Sequence, residues 1–294
     1  MTHATDLTVV LSNDDGIRAP GIQTLHNAIT DPGGDLGGPL FRTVLPVAPL
    51  TVQSATSHGL TFHVPLMASE VDVNPTFSGV AVDGRPADCI KLALSAIWNE
   101  KFSAQPDMPD RPDLVLSGIN AGANCGINTI YSGTVAAALE AAFLGVPSVA
   151  ISLHLGKGKP QWARAGRHAR RVLELLLKHK EALLAPHSCL NINIPVCDDQ
   201  TSPPTPDEPA VAVRPMNIHA LVDNYERRVS PAGDVYYWSA ADGLNFIDSD
   251  EHADVAALKQ RMITVTPIGY DLTRHAQLGP WNERLDSSRQ PTNA

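Results

Sequence analysis

Two adjacent aspartates in a short turn are the residues of this chain best suited to chemistry. An apolar β-type run, Leu7 to Leu11, ends in the polar turn Ser12-Asn13-Asp14-Asp15-Gly16, and Pro20 then starts a helical pattern. In an open α/β sheet, ligands bind beyond the carboxyl ends of the strands, where this turn would lie. Asp14 and Asp15 repel each other unless a proton or a cation intervenes, and a divalent cation with oxygen ligands resolves the repulsion most simply. The alternative is a structural turn in which one aspartate caps the helix.

Two later segments supply further oxygen donors at predicted strand ends. The segment Pro49 to Gly59 is rich in small hydroxyl residues, and it places Ser54 or one of its neighbours beside the acidic turn. A short buried strand beginning with Leu114 to Leu116 leads to Asn120. Hard oxygen ligands of this kind suit magnesium, calcium or manganese rather than zinc or copper.

A phosphate-binding segment is predicted after Asn120. Glycine recurs between positions 118 and 126, and the loop ends at Ser132-Gly133-Thr134, just before the helix-forming run Val135 to Leu144. A helix N-terminus reached through a glycine-rich loop favours an anion, because its N–H groups and the helix dipole both attract negative charge. The alternative is a plain helix cap by Ser132 or Thr134. A hard cation beside a phosphate cradle indicates phosphoryl chemistry.

The elements that must position these residues are typical of an α/β protein. Strands alternate with helices as far as Cys197, which predicts a Rossmann-like core over residues 1–197, with a parallel sheet and helices on both faces. Residues 198–273 are predicted to form an extended arm with a β-hairpin that returns to the core. Residues 274–294 are predicted to be a loose polar tail. Helices are predicted from Ala87 to Trp98 and from Gln161 to Leu184.

Composition excludes several functional classes. The formal net charge of −9 disfavours binding to long nucleic acids, which normally requires a basic face. The four cysteines show no CxxC spacing, so they are expected to be buried small residues in a reducing compartment. No secretory signal and no membrane span are recognisable, and the expected location is the cytoplasm. P-loop, dinucleotide-binding and nucleophile-elbow motifs are absent from the sequence.

Taken together, the motifs resemble those of the SurE family, the stationary-phase survival proteins. The motifs that carry the resemblance are SNDDG(x3)PGI at 12–22, VAP(x4)S at 47–54, PADC at 86–89, SGINAGxNxG with YSGTVAAA at 117–138, YYW at 236–238 and TVTPIGYDLT at 264–273. Any one of these motifs alone would be weak, whereas the set is specific and covers most of the chain.

The resemblance implies a metal-dependent nucleotidase or acid phosphatase. It places the family's ligands for one divalent metal ion per subunit, Mg²⁺ or Mn²⁺, on Asp14, Asp15, Ser54 and Asn120. It implies hydrolysis of nucleoside 5′- and 3′-monophosphates and, in some members, of short polyphosphate. It also implies homodimers or homotetramers that exchange C-terminal arms.

Several residues keep two interpretations. Asn13 and Asn124 could orient ligands or touch the substrate, or they could serve only as turn residues. Arg85 stands where the family usually has threonine, and an exposed turn arginine is favoured over a phosphate contact. His58 and His252 could act as general acids, although a structural role is favoured for both.

The resulting hypothesis is a cytoplasmic phosphatase that hydrolyses nucleoside monophosphates by attack of a metal-activated water on phosphorus. Asp14, Asp15 and Asn120 are the predicted catalytic residues. Asn13, Asn124 and the Ser132-Gly133-Thr134 segment are the predicted phosphate- or substrate-binding residues. The alternative is a non-catalytic nucleotide-binding module that retains the metal crevice without turnover.

Overall fold

Apolar runs rich in β-branched residues form strands that assemble into one large sheet flanked by helices. A computed structural model describes residues 5–222, 224–240 and 244–286. The strands are β1 (Thr5–Ser12), β2 (Phe41–Pro49), β3 (Ala68–Asn74), β4 (Phe77–Val82), β5 (Leu114–Ala121), β6 (Ser148–Leu153), β7 (Cys189–Ile194), β8 (Val211–Val213), β9 (Tyr225–Val229), β10 (Val235–Ser239) and β11 (Ile263–Ile268). The helices are α1 (Pro20–Thr30), α2 (Pro86–Leu92), α3 (Trp98–Phe102), α4 (Gly133–Phe143), α5 (Trp162–Leu177), α6 (Lys180–Leu183), α7 (Asp254–Lys259) and α8 (His275–Leu285).

The main sheet has the strand order β3-β4-β2-β1-β5-β6-β7-β11-β8. The six strands from β4 to β7 are mutually parallel, which confirms the predicted Rossmann-like α/β class. Outside this parallel core the sheet is mixed, because β3 is antiparallel to β4 and β11 is antiparallel to β7. Only two residues separate β3 from β4, and so short a connection can join only antiparallel strands.

Strand order reverses between β1 and β5, and this reversal creates a crevice. The chain leaves β1 for β2 on one side, and it later returns to β5 on the other side of β1. The two strands run in parallel register, with Ser12 opposite Ser117, so their carboxyl ends lie side by side. This is the topological switch point at which open α/β sheets bind ligands.

Two apolar layers hold the sheet in place. Helices α1 and α5 cover one face, where Leu25 and Val172 pack with Leu11 in the same cluster. Helices α2 and α4 cover the other face, where Ile90 and Ala137 pack around the neighbouring strand residues. Strand β1 is therefore buried on both sides, as expected for a central parallel strand.

Two helix predictions needed correction at their boundaries. The helix predicted from Ala87 to Trp98 consists of α2, a π-helical stretch from Ala93 to Ile97, and then α3. The helix predicted from Gln161 to Leu184 is divided into α5 and the short α6, with Lys178 and His179 between them. Apolar periodicity continues through both interruptions, so the spacing of apolar residues could not reveal them.

The loose tail predicted from residue 274 is wrong for its first part. Residues His275 to Leu285 form α8, whose side chains are exposed throughout. Leu278, Trp281 and Leu285 recur at helical spacing, a signal that the high polarity of the segment obscured. Residues 287–294 of the predicted tail lie outside the described residues.

The C-terminal segment contributes both to the sheet and to a projecting hairpin. Strands β8 and β11 extend the main sheet beyond β7. Strands β9 and β10 pair with each other as the predicted hairpin, and all ten of their residues are exposed. Within the described ranges, no helix is long and apolar enough to span a bilayer.

A buried histidine should make the fold sensitive to mild acid. Burial, reinforced by the positive charges of Arg164, Arg167 and Arg171, lowers the pKa of His168 on α5 to about 4. Between pH 6.5 and 4 the unfolded chain binds a proton that the folded chain does not, so stability falls as the pH drops through this window. We expect His168 to remove about 2 kcal/mol of unfolding free energy between pH 7 and pH 5.

Urea unfolding at the two pH values measures this effect. His168→Gln should lose less stability on acidification than the unaltered chain, whereas His63→Gln, at an exposed position, should behave like the unaltered chain. Identical pH dependence in the unaltered chain and in His168→Gln would contradict this assignment.

Candidate functional site

The acidic turn lies at the carboxyl end of β1, directly at the switch point. Gly16 adopts a φ of +94°, a conformation that glycine tolerates best, and this lets the chain reverse within the turn. The side-chain amide of Asn13 donates a hydrogen bond to the carbonyl of Gly16 at 3.0 Å. Asn13 is fully buried, and its side chain stabilises the turn through this hydrogen bond.

Asp14 is a buried carboxylate held by helix α4. Its Oδ1 accepts a hydrogen bond from the hydroxyl of Thr134, and its backbone carbonyl accepts one from the N–H of Gln53 at 2.7 Å. The pKa of Asp14 is raised to about 6, because burial and the negative charge of Asp15 raise it by more than the bond from Thr134 lowers it. Asp14 therefore carries a negative charge that the protein alone stabilises poorly.

The first turn of α4 approaches Asp14 unusually closely. A Cβ at Gly133 would lie 2.8 Å from the Cβ of Asp14 and 3.0 Å from Pro86, so only glycine fits there. Ser132 caps the helix by accepting a hydrogen bond from the N–H of Val135 at 3.1 Å. The cap is thus confirmed, and its use as a phosphate cradle stays a prediction.

Asp15 and Asn120 join the turn to the end of β5. Oδ2 of Asp15 accepts a hydrogen bond from the N–H of Ala121 at 2.9 Å. The amide nitrogen of Asn120 donates to the carbonyl of Gly122 at 2.8 Å. Since the nitrogen of Asn120 is engaged in this way, its amide oxygen is the atom suited to a cation.

Ser54 lies on a loop that is pinned to α4. The N–H of Ser57 donates to the carbonyl of Tyr131 at 3.1 Å, just before α4. Nε2 of His58 lies 2.7 Å from the carboxylate of Glu140, a buried residue of α4 that also pairs with Lys91 at 3.0 Å. Burial would raise the pKa of Glu140, but the bonds from these two partners lower it. His58 therefore has a structural anchoring role, in line with the favoured interpretation.

A pocket of about 410 Å³ brings most of the predicted site residues together. Predicted residues that line it are Asp14, Ser54, Asn120, Asn124 and Ser132. Asp15 lines a neighbouring cleft instead, while Asn13 and Thr134 hold the turn through hydrogen bonds to Gly16 and Asp14. The metal-ligand roles themselves remain predictions.

Asn124 belongs to a buried polar network as well as to the pocket. Its N–H donates to Oδ1 of Asn193 at 2.8 Å, and its side-chain amide donates to Ser152 at 2.9 Å. Its carbonyl accepts bonds from the side chains of Asn191 and Asn193 at 2.7 and 3.1 Å. These contacts with β6 and β7 fix the loop after β5, so the structural interpretation of Asn124 has direct support.

The pocket also contains residues that the sequence interpretation did not select. His154 follows β6 directly, so the strand-end rule used for β1 and β5 would have identified it. Asn128 and Tyr131 belong to the glycine-rich loop, where spacing gave no preference among its polar residues. Leu244 belongs to the C-terminal segment, and no local signal in the sequence indicates that it lines the pocket.

Two other candidates lie away from this pocket. Arg85 is exposed and precedes α2, and its backbone N–H donates to Asp88 at 2.9 Å. His252 is exposed beside Glu251, at 3.6 Å. The position of Arg85 fits the favoured interpretation, an exposed turn arginine. His252 does not line the pocket, so its position does not favour the general-acid interpretation.

The donor set fits a hard divalent cation. The carboxylate of Asp14, the hydroxyl of Ser54 and the amide oxygen of Asn120 border one pocket, and Asp15 lines the neighbouring cleft. Asp14 lacks sufficient counter-charge from the protein. Among the residues that the structure describes, no cluster of three or more His, Cys, Asp or Glu side chains forms an alternative metal site. An all-oxygen set suits magnesium or manganese rather than zinc.

Comparison with known proteins agrees with this geometry. The family model described as "Survival protein SurE" matches residues 9–213, which include β1, β5 and α4. The chain belongs to the SurE family. The resemblance that the motifs carry is therefore confirmed.

Individual SurE relatives match over nearly their full length. The 5′-nucleotidase SurE of Desulforudis audaxviator is 38% identical over 275 residues, covering 92% of this chain and 95% of that protein. The 5′-nucleotidase SurE of Syntrophobacter fumaroxidans is 37% identical, covering 94% of this chain and 100% of that protein. The crystal structure of the SurE protein from Aquifex aeolicus has a TM-score of 0.70 at 30% identity, and the match covers 95% of this chain and 100% of that one.

Removing the hydroxyl that binds Asp14 should raise the pKa of that carboxyl above about 6, since the bond favours the charged form. We expect Thr134→Val to raise it by about one pH unit, the scale of one hydrogen bond to a charged group. Titration of the ¹³C-labelled aspartate carboxyl signals by NMR, in metal-free protein, measures the change. Thr134→Ser retains the hydroxyl and serves as the control. A pKa that stays the same in Thr134→Val would show that the hydrogen bond does not control Asp14.

Proposed function

We propose that this protein is a divalent-metal-dependent phosphatase that hydrolyses nucleoside 5′-monophosphates. The observation that carries the proposal is the buried Asp14 beside Asp15 at the switch point, bordered by Ser54, Asn120 and the start of α4. Relatives named 5′-nucleotidase SurE support the choice of substrate. We extend the proposal to 3′-monophosphates and short polyphosphate, because a cation and helix N–H groups recognise the phosphoryl group rather than its ester.

The proposed metal site holds one Mg²⁺ or Mn²⁺ ion per subunit on Asp14, Asp15, Ser54 and Asn120. A cation bound there would polarise a phosphoryl oxygen and lower the pKa of a bound water. Above about pH 6 Asp14 is predominantly a carboxylate, the form that binds a cation.

The protein's own contribution is to position the phosphate. In this proposal the N–H groups of the first turn of α4 bind phosphoryl oxygens, and the helix dipole stabilises the growing negative charge. Gly133 allows this turn to reach the carboxylate, and Thr134 fixes the orientation of Asp14. The His58–Glu140 contact holds the Ser54 loop against the same helix, so α4 aligns the phosphate site with two of the ligands.

We further propose a homodimer or homotetramer that exchanges C-terminal arms. The exposed hairpin of β9 and β10 supports this, because Tyr237 and Trp238 each expose 61% of their surface. We also propose a cytoplasmic location. The four cysteines are buried and unpaired, as suits a reducing compartment.

Phosphate release from a panel of nucleoside monophosphates tests the function, with Mg²⁺, with Mn²⁺ and with a chelator. We expect release that the chelator abolishes and that added metal restores. Folded protein that binds nucleotide but releases no phosphate with either metal would instead support a non-catalytic binding module.

A matched pair of variants locates the activity within the structure. Asp14→Asn removes a ligand charge while preserving side-chain volume, and we expect it to lose most activity, by about 100-fold or more, without unfolding. Asp110→Asn makes the same chemical change in an exposed loop and should retain full turnover. Unaltered turnover in Asp14→Asn would contradict the site assignment.

A further inference from the structure

A second cleft adjoins the first pocket at the acidic turn. Its volume is about 440 Å³, and Ala121 lines both spaces. Asp14 lines the first pocket and its neighbour Asp15 lines the second, so the acidic turn lies between the two spaces. A molecule with its phosphate at this turn could therefore extend the rest of its structure into the second cleft.

The second cleft differs from the first in chemistry. The first pocket is lined by amide, hydroxyl and carboxylate side chains together with small and aliphatic residues. The second carries an indole, Trp162, and two aliphatic side chains, Leu50 and Val52, which stay 45% and 64% exposed. The side chain of Arg18 is also exposed at this cleft, and a guanidinium can donate to polar atoms or stack on a ring.

Trp162 is held as a fixed platform. It is the first residue of α5 and packs partly into the core on the α1 side of the sheet. A Cβ at Gly21 of α1 would lie 3.3 Å from Cζ3 of the indole, so the missing side chain makes room for the ring. A ring anchored in this way loses little conformational entropy when a ligand stacks on it.

We propose that this second cleft binds the nucleobase of the substrate, with the base stacked on Trp162 between Leu50 and Val52. The proposal rests on the nucleotidase function proposed above. A nucleoside monophosphate has an anionic end suited to the acidic turn with its cation, and a flat aromatic end suited to an indole. Stacking accepts every base because every base has a π-face, so the cleft predicts broad base tolerance.

Tyr131 is the rival platform. It lines the first pocket and exposes 51% of its surface. Its neighbours there include Asn124, Asn128 and Ser132 as well as Leu155 and Leu244, so polar and apolar groups share this lining. The lining around Trp162 has the larger share of apolar surface, and this favours Trp162 as the platform.

The test compares adenosine 5′-monophosphate with ribose 5-phosphate, which carries the same phosphate and sugar without a base. The measured quantity is the ratio of the two kcat/KM values. Trp162→Leu keeps apolar bulk without a π-face, and we expect the ratio to fall about tenfold, mainly through KM for the nucleotide. Trp162→Phe should restore most of the ratio, and Trp281→Leu, at an exposed tryptophan of α8, should leave it unchanged.

Two outcomes would overturn the proposal. One is an equal loss for both substrates in Trp162→Leu, which would indicate a structural role for the indole. The other is a base-specific loss in Tyr131→Leu with none in Trp162→Leu, which would place the base in the first pocket.

A calorimetric measurement keeps this proposal separate from the proposed function. If the unaltered protein hydrolyses neither substrate, the nucleotidase function fails. Titration with adenosine 5′-monophosphate then decides the base site without turnover. About tenfold weaker binding to Trp162→Leu, with recovery in Trp162→Phe, supports the base site, and equal affinities reject it.

Discussion

The structure depends on a buried carboxylate, Asp14, placed next to a second carboxylate at the end of a central strand. Because the pKa of Asp14 rises from 3.8 to about 6 on folding, its ionisation costs the folded chain about 3 kcal/mol above that pH. This cost remains even though the hydroxyl of Thr134 favours the charged form. A bound cation would offset it, so the same unfavourable charge that weakens the isolated fold supplies affinity for metal.

Helix α4 connects this charge to the remaining parts of the site. Thr134 and Gly133 contact Asp14 from its first turn, while Glu140, two turns later, holds the loop that carries Ser54 through His58. The opposite wall is fixed by Asn124, which is bound to strands β6 and β7. The site is thus assembled from the ends of neighbouring strands by one helix and one polar network, and most of its support lies in buried, well-packed structure.

Much of this arrangement could be predicted from local sequence. The turn at Asp14, the alternation of strands with helices and the helix cap at Ser132 each leave a short-range signal, and the strand-end rule brings them together. The rest depends on long-range contacts. Nothing near Thr134 indicates that its hydroxyl turns toward Asp14, and nothing near His58 indicates Glu140, 82 residues away. Helix α8 was missed because the high polarity of its segment concealed the helical spacing of its apolar residues.

The central claim is that Asp14, Asp15, Ser54 and Asn120 form a single cation site. Crystals grown with Mn²⁺ test it most directly, because anomalous scattering locates the metal independently of the refined protein atoms. The account predicts one anomalous peak per subunit, with oxygen atoms of these side chains about 2 Å from it. A peak elsewhere in the chain, or none at saturating Mn²⁺ above pH 7, would contradict it.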